Sequence, residues 1–424
     1  MQDLCSLNPG DPQRDTASCR QNLEGELLLQ YARRNPGPET TDRISLLLSC
    51  DLDWERFTDL VERNEVSGLV LRGISRADHS GMPQRTLRRL RDMAVENTSI
   101  GVRLASQLLS VLRLFGANAV LAMPLKGSAL AMQLYGNFST RQSGDVDVLV
   151  RRSDAFMARQ ILLSAGYRPL ESDLEFRRHF SSAKHKHFTV LSPDRETLLE
   201  VHWAFLEPAY GFRLSASEVF QTAVPQCLLD EKIFCACPEH QLLLLAAHGC
   251  RHGWDSLKWI CDVAELVCVP QLDLQAALTR AKDLGCYRMV SLALLLAADF
   301  LDARVPSAIL RDISTPALRP LIEGVRSKVL SLQPFVSAEH PSGVRAQIAY
   351  LRFALSCREK LRDRLRLVIH RFANLLRPNE QDRQFRRLPA VVRWFARPVR
   401  LFRIYGFGCF AELLGSALRG TFSN

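Results

Sequence analysis

Asp145 and Asp147 stand two residues apart at the head of an apolar run that ends Val148-Leu149-Val150. On a strand, residues two apart project to the same face. Two carboxylates side by side repel one another unless a cation stands between them. Mg²⁺ meets that need, because it is a hard ion held by one or two carboxylates together with substrate phosphates. Upstream, Lys126-Gly127-Ser128 follows another apolar run, Ala119 to Leu125. Glycine lets backbone approach a phosphate closely, and a helix opening at Ser128 aims its free N–H groups at that anion. Ser128 offers a hydroxyl as a further phosphate contact. Lys126 is either a phosphate-pairing cation or a strand-end charge. A phosphate cradle beside a two-carboxylate metal site is the equipment of metal-dependent phosphoryl or nucleotidyl transfer.

A third carboxylate is available. Glu200 lies in the strand-like run Thr197-Leu198-Leu199-Glu200-Val201-His202-Trp203. Residues 186 to 191 also read as a strand, and Ser192-Pro193-Asp194-Arg195 supplies turn residues between the two. The pair forms a hairpin that lays Glu200 beside the Asp145/Asp147 strand. There Glu200 either helps to hold the metal or takes a proton from the attacking hydroxyl. Otherwise it forms a structural ion pair. Arg141, shortly before the acidic pair, either neutralises a polyphosphate or braces the two acids. His202 shares a strand face with Glu200 and His185 shares one with His187, so these imidazoles are candidates to line the cleft.

The elements that must position these groups follow from periodicity. Residues 1–20 are polar, with Pro and Gly, and read as a flexible terminus. Residues 21–116 read as helical: Trp54, Phe57, Leu60 and Val61 recur at helical spacing, and Arg85 to Leu114 form one long helix. The catalytic α/β unit spans 117–210. Within it, a helix from Asp154 to Ala165 is capped at Ser153 or Asp154 and ends at Gly166. Residues 211–330 read as a second helical domain, with Pro238 opening the helix that carries His248. His248 and His252 lie four apart on that helix, on one face. The spacing suits a zinc pair, but Gly-Cys-Arg between them lacks the glutamate of a His-Glu-x-x-His site. This face, with Trp254, Trp259 and Asp262, packs against the α/β unit and walls the nucleotide pocket, Asp262 pairing with Arg251 or Lys258. Residues 331–424 form a basic, arginine-rich helical region.

Of the 424 residues, 47% are hydrophobic, enough for a sizeable core, and no run of about 18 apolar residues predicts a transmembrane helix. The first residues lack the basic and apolar regions of a signal peptide. The 12 cysteines form no CxxC pair and read as buried reduced thiols, which places the chain in the cytoplasm. The net charge is +10, but residues 341–424 carry 17 Lys plus Arg against 5 Asp plus Glu, or +12, leaving −2 for the remainder. Trp394, Phe395, Phe402, Tyr405 and Phe407 interleave with Arg393, Arg397, Arg400 and Arg403 in this tail. The mixture suits an anionic partner, either nucleic acid or a membrane surface. It equally suits a cover for the acidic face of the same chain, or a packed helical layer with solvated arginines.

The combined pattern resembles the nucleotidyltransferase superfamily that includes DNA polymerase beta, in which Gly-Ser, a helix, a paired acid on one strand and a third acid on a later strand recur. More closely it is similar to an uncharacterised bacterial nucleotidyltransferase family with a Lys-Gly phosphate turn. Lys126-Gly127-Ser128-Ala129-Leu130, Tyr135, Arg141, Asp145-Val146-Asp147 and Glu200-Val201-His202-Trp203 carry the resemblance, with His248, His252-Gly253-Trp254, Trp259 and Asp262. The tail Arg397-Pro398-Val399-Arg400-Leu401 is similar to the family's ending. Glu200 stands where that family carries Asp. The resemblance implies an α+β fold, with a polymerase beta-like mixed sheet flanked by N- and C-terminal helical regions. It implies Mg²⁺, as two ions, on Asp145, Asp147 and Glu200, and nucleotide phosphates on Lys126, Gly127, Ser128 and Arg141. The expected reaction moves AMP from ATP to an acceptor hydroxyl on a protein, an RNA or a small molecule, with release of pyrophosphate. The alternative is a non-catalytic nucleotide- or nucleic-acid-binding protein on the same fold.

Overall fold

The computed structural model describes residues 23–376, apart from 78, 183–184 and 333–343. Five helices come first: α1 (Leu23–Ala32), α2 (Pro38–Leu48), α3 (Trp54–Arg63), α4 (Ser67–Ile74) and α5 (Gln84–Ala117). Asp53 starts α3 by accepting from the N–H groups of Glu55 and Arg56 at 3.1 and 3.0 Å. The helical spacing read from the sequence then buries Phe57, Leu60 and Val61 completely. Among the described residues α5 alone is long and apolar enough, by length and composition, to cross a membrane. In the fold 39% of its apolar stretch is buried, through one face of the helix. Leu87 and Leu90 join one apolar cluster, while Leu104, Leu108, Val111 and Phe115 join a second, beneath the sheet.

After α5 the chain alternates between strand and helix: β1 (Ala122–Pro124), α6 (Gly127–Tyr135), β2 (Val146–Val150), α7 (Ala155–Ser164), β3 (Arg168–Pro169), α8 (Asp173–Ser181), β4 (His187–Leu191) and β5 (Leu198–His202). The five strands form one mixed sheet in the order β1-β2-β5-β4-β3. β4 and β5 make the expected antiparallel hairpin, and β5 runs parallel to β2 with Asp147 opposite Glu200. The pleat then divides the side chains. Val146, Val148, Val150, Leu199, Val201, Phe188 and Val190 all join the cluster that packs on α5 and α7. Asp147, Glu200, His202 and His187 are left for the other face. Ahead of α7 the first turn is 3₁₀, over Arg152–Asp154, and neither expected cap bonds the helix; Ser153 donates to Asp154 instead, at 2.8 Å.

The sequence reading of 211–330 as helical needs a correction. After the short α9 (Ala216–Gln221), β6 (Val224–Leu228) and β7 (Glu231–Cys235) form an antiparallel hairpin. Its turn, Leu229-Asp230, takes positive φ at both residues (47° and 65°), the conformation a two-residue hairpin turn requires. Gln226 donates to the carbonyl of Ala129 on α6 at 2.8 Å, and Leu228, Ile233 and Cys235 extend the cluster beneath the sheet. Helices follow: α10 (Pro238–His252), α11 (Leu257–Val267), α12 (Leu274–Leu284), α13 (Tyr287–Leu301), α14 (Ser307–Ile313), α15 (Arg319–Val329), α16 (Val344–Ser356) and α17 (Leu361–Leu376). They share one large apolar cluster with α1 to α4.

Two arginines of the basic segment are engaged within the fold. Arg358 is buried and donates to the Tyr210 carbonyl at 3.0 Å, and Arg371 donates to the Tyr210 hydroxyl at 2.9 Å. The expected flexible terminus, residues 1–20, and the aromatic–arginine stretch from Arg393 to Phe407 lie outside the described residues.

Candidate active site

The open face of the sheet and the helices α10 and α11 enclose a cavity of about 650 Å³. Asp145, Asp147, Glu200 and Lys126 line it from the sheet side, and His248, Arg251, His252, Lys258 and Trp259 from the helices. Asp145 sits one residue before β2, Asp147 is its second residue, and Glu200 stands across from Asp147 on β5. Carboxylate oxygens of the three acids lie within 4.8 Å of one another. An all-oxygen, triply anionic set of this kind suits a hard divalent cation.

Lys126 reaches between the paired acids. Its Nζ lies 2.9 Å from Asp147 and 3.8 Å from Asp145. The Leu125 N–H bonds the Asp147 carbonyl at 3.1 Å, which ties the end of β1 to β2 and brings the lysine to the acids. His202 holds the other side of Asp147: its Nε2 is 2.9 Å from Asp147 Oδ1 and 3.1 Å from Glu200 Oε2.

These contacts set the protonation states. Burial pushes the Asp147 carboxyl up, but Lys126 and His202 outweigh it and hold the group well below the usual range. Burial likewise works against Glu200, yet the His202 hydrogen bond and the neighbouring His187 bring it down to about 2. Asp145 is raised, by burial foremost, with Asp147 and Glu200 adding to the effect against Lys126. Burial lowers Lys126, but Asp147 and Asp145 prevail and hold it above the usual lysine value. His187 is pushed down to about 3 by burial and by His202, so it is a neutral imidazole.

Gly127 takes φ +69°, a left-handed conformation that a side chain would strain, and α6 starts there. The Ser128 hydroxyl is not available to a phosphate. It is buried and donates to the Gly101 carbonyl on α5 at 3.1 Å, because the second position of α6 faces that helix. Any phosphate contact in this turn falls to backbone N–H groups and to Lys126.

Arg141 also departs from both roles read in the sequence. Its Nε donates to both oxygens of Asp262, at 2.9 and 3.0 Å, and the pair is buried. The Tyr135 hydroxyl donates to the same carboxylate at 3.0 Å. Arg141 thus does not touch the acidic pair; it lines the cavity, but with its Nε committed to Asp262. It anchors the 136–145 loop to α11. Asp262 pairs with neither partner expected for it: Arg251 bonds Glu207 at 2.9 Å, and Lys258 pairs with Glu65.

The back of that loop is held by close approach. A Cβ on Gly68 of α4 would lie 2.0 Å from the Ser139 carbonyl oxygen and 2.6 Å from the Thr140 Cα. Both atoms are backbone and cannot swing aside. Gly68→Ala should therefore cost at least the roughly 1–3 kcal/mol of core overpacking. Urea unfolding would show the loss, and unchanged stability would mean that the loop is not pinned there.

His187 lines the cavity, whereas His185 stacks on His179 with ring centroids 3.6 Å apart. His248, His252 and Trp259 form an aromatic wall opposite the acids, with centroids 4.5 to 5.2 Å apart. Trp254 is fully buried and donates to Cys250 instead. Lys186 and Arg251 are cavity cations, a role the sequence did not assign to either. The signal for Lys186 was its place directly ahead of His187 on the expected strand. Arg251 carried one in lying between the two histidines of α10.

No curated protein and no solved structure matches the chain significantly. A family model described as an uncharacterised nucleotidyltransferase matches residues 51–302, more than half of the chain, and spans every acid and cation of the cavity. The chain therefore belongs to that uncharacterised nucleotidyltransferase family, and it is a nucleotidyltransferase enzyme.

Proposed function

We propose that the enzyme transfers AMP from ATP to an acceptor hydroxyl and releases pyrophosphate. The observation that carries this reading is the convergence of Asp145, Asp147 and Glu200 at one end of the sheet, beside a glycine turn and a lysine. Asp145, Asp147 and Glu200 would hold Mg²⁺, and the bound ion would supply Lewis-acid stabilisation of charge on the phosphoryl oxygens. Every other task falls to the chain itself. The α6 N-terminus and Lys126 take the β- and γ-phosphates, Lys126 exchanging its ion pair with Asp147 for the incoming anion. Lys186 and Arg251 add positive charge along the cavity wall and favour the leaving pyrophosphate. The adenine ring packs against Trp259, His248 and His252. Burial foremost pushes His248 well below the usual histidine value, so this imidazole is uncharged toward a neutral base. Glu200, held ionised, is placed to receive the proton of the attacking hydroxyl.

The test is incubation of the full chain with α-labelled NTPs, Mg²⁺ and candidate acceptors, including the protein itself. Label transfer with stoichiometric pyrophosphate is the expected result. Ligand that binds only the folded state adds about 2.7 kcal/mol at a hundredfold excess over Kd. Saturating Mg²⁺–ATP should therefore raise the melting temperature, and ATP in EDTA should do so far less. Equal shifts with and without metal would sink the metal-dependent reading.

A further inference from the structure

We propose that His187, His202 and Glu200 form a second metal-ligating site, sharing Glu200 with the all-carboxylate one, that selects a first-row transition ion such as Co²⁺ or Mn²⁺ over Mg²⁺. The proposal deepens the nucleotidyl-transfer reading, but its ligand set stands on geometry alone. Strand register builds the set. His187 pairs with His202 across β4 and β5, and Glu200 pairs with Asp147 across β5 and β2. The ligand atoms of His187, Glu200 and His202 lie within 4.8 Å of one another. His202 Nε2 stands 2.9 Å from Asp147 Oδ1 and 3.1 Å from Glu200 Oε2, and His187 Nε2 stands 3.9 Å from Glu200 Oε1. Ligands about 2.1 Å from one metal ion are about 3.0 to 3.4 Å apart, so these spacings bracket those of a coordination shell.

Donor chemistry then decides the ion. Asp145, Asp147 and Glu200 offer oxygen only, the preference of Mg²⁺. Two imidazole nitrogens with one or two carboxylate oxygens favour first-row transition ions over Mg²⁺, Co²⁺ and Zn²⁺ more strongly than Mn²⁺. Glu200 belongs to both groups and can bridge them, as in two-metal phosphoryl-transfer sites. One Nε2 hydrogen cannot serve Asp147 and Glu200 fully at once, whereas a cation between the three groups satisfies them all. Glu200 is suited to the bridge by its length. Its two oxygens already face different imidazoles.

The experiment titrates the full-length protein with Mn²⁺ and reads bound ion by electron paramagnetic resonance, with electron spin echo modulation to detect ligated ¹⁴N. Wild type should show imidazole modulation. His187→Ala and the polar His187→Gln should each bind that ion at least tenfold more weakly and show less modulation, with unchanged melting temperatures. Asp145→Asn should leave the modulation in place. Mn²⁺ bound without ¹⁴N coupling, and with an affinity indifferent to His187, overturns the inference. In that outcome retained Mg²⁺-dependent ATP binding leaves the nucleotidyl-transfer reading intact. If neither ion binds, both fall.

Discussion

Asp147→Asn should lower label transfer from ATP by roughly 100-fold or more, the loss that follows removal of one preorganised electrostatic stabiliser. The substitution keeps size and shape and removes one charge from the most enclosed acid of the cavity, 2% exposed. That acid touches Lys126 and His202, both at 2.9 Å, and faces Glu200 across the strand pair. Its loss therefore acts on each part of the site. The trio of acids falls to two, and Lys126 keeps only Asp145, at 3.8 Å. Asparagine can still bond His202, so the fold should survive and the defect should lie in metal and nucleotide. Mg²⁺–ATP should then no longer raise the melting temperature above the shift seen in EDTA. Transfer at the wild-type rate would remove Asp147 from the chemistry.

The acidic strand and the hairpin were legible because they rest on period-two alternation. Val146, Val148 and Val150 must share a face, so Asp147 must take the other, and the turn at Ser192 to Arg195 returns Glu200 to the same face. What was not legible depended on distance or phase. The partner of Arg141 lies 121 residues away, on α11. No local pattern distinguishes Asp262 paired with Arg141 from Asp262 paired with a neighbour on its own helix. Ser128 differed by phase. With α6 beginning at Gly127 and not at Ser128, the hydroxyl turns to α5. The β6–β7 hairpin was hidden by Pro225 inside a strand and by a Leu-Asp turn where Asn-Gly would have announced one. Lys126 was read as a phosphate cation; that it also neutralises the acidic pair emerges only when β1 is laid beside β2.

Asp262→Ala should destabilise the fold by about 3–5 kcal/mol, as expected when one partner of a buried ion pair is removed. Asp262 is fully buried and Arg141 is 5% exposed, so the guanidinium would be stranded without a carboxylate. Tyr135 would lose its acceptor as well. Burial and Asp262 together hold its hydroxyl well above the usual tyrosine value, as a donor. Arg141 keeps a bond to the Ser143 hydroxyl at 3.0 Å, which is too little to compensate a buried charge. A well-packed apolar pair avoids the stranded charge, so Arg141→Met with Asp262→Leu should recover part of the stability, short of the roughly 1–3 kcal/mol for the Tyr135 hydroxyl left without its acceptor. It should not recover function. Arg141 stands four residues before Asp145, and its anchor on α11 fixes the loop that delivers that acid to the cavity. The double variant should therefore unfold at a higher urea concentration than Asp262→Ala yet bind Mg²⁺–ATP more weakly than wild type, as titration calorimetry would show. If Asp262→Ala costs less than about 1 kcal/mol, the scale of an exposed pair, then water reaches the guanidinium and α11 is not what holds the loop.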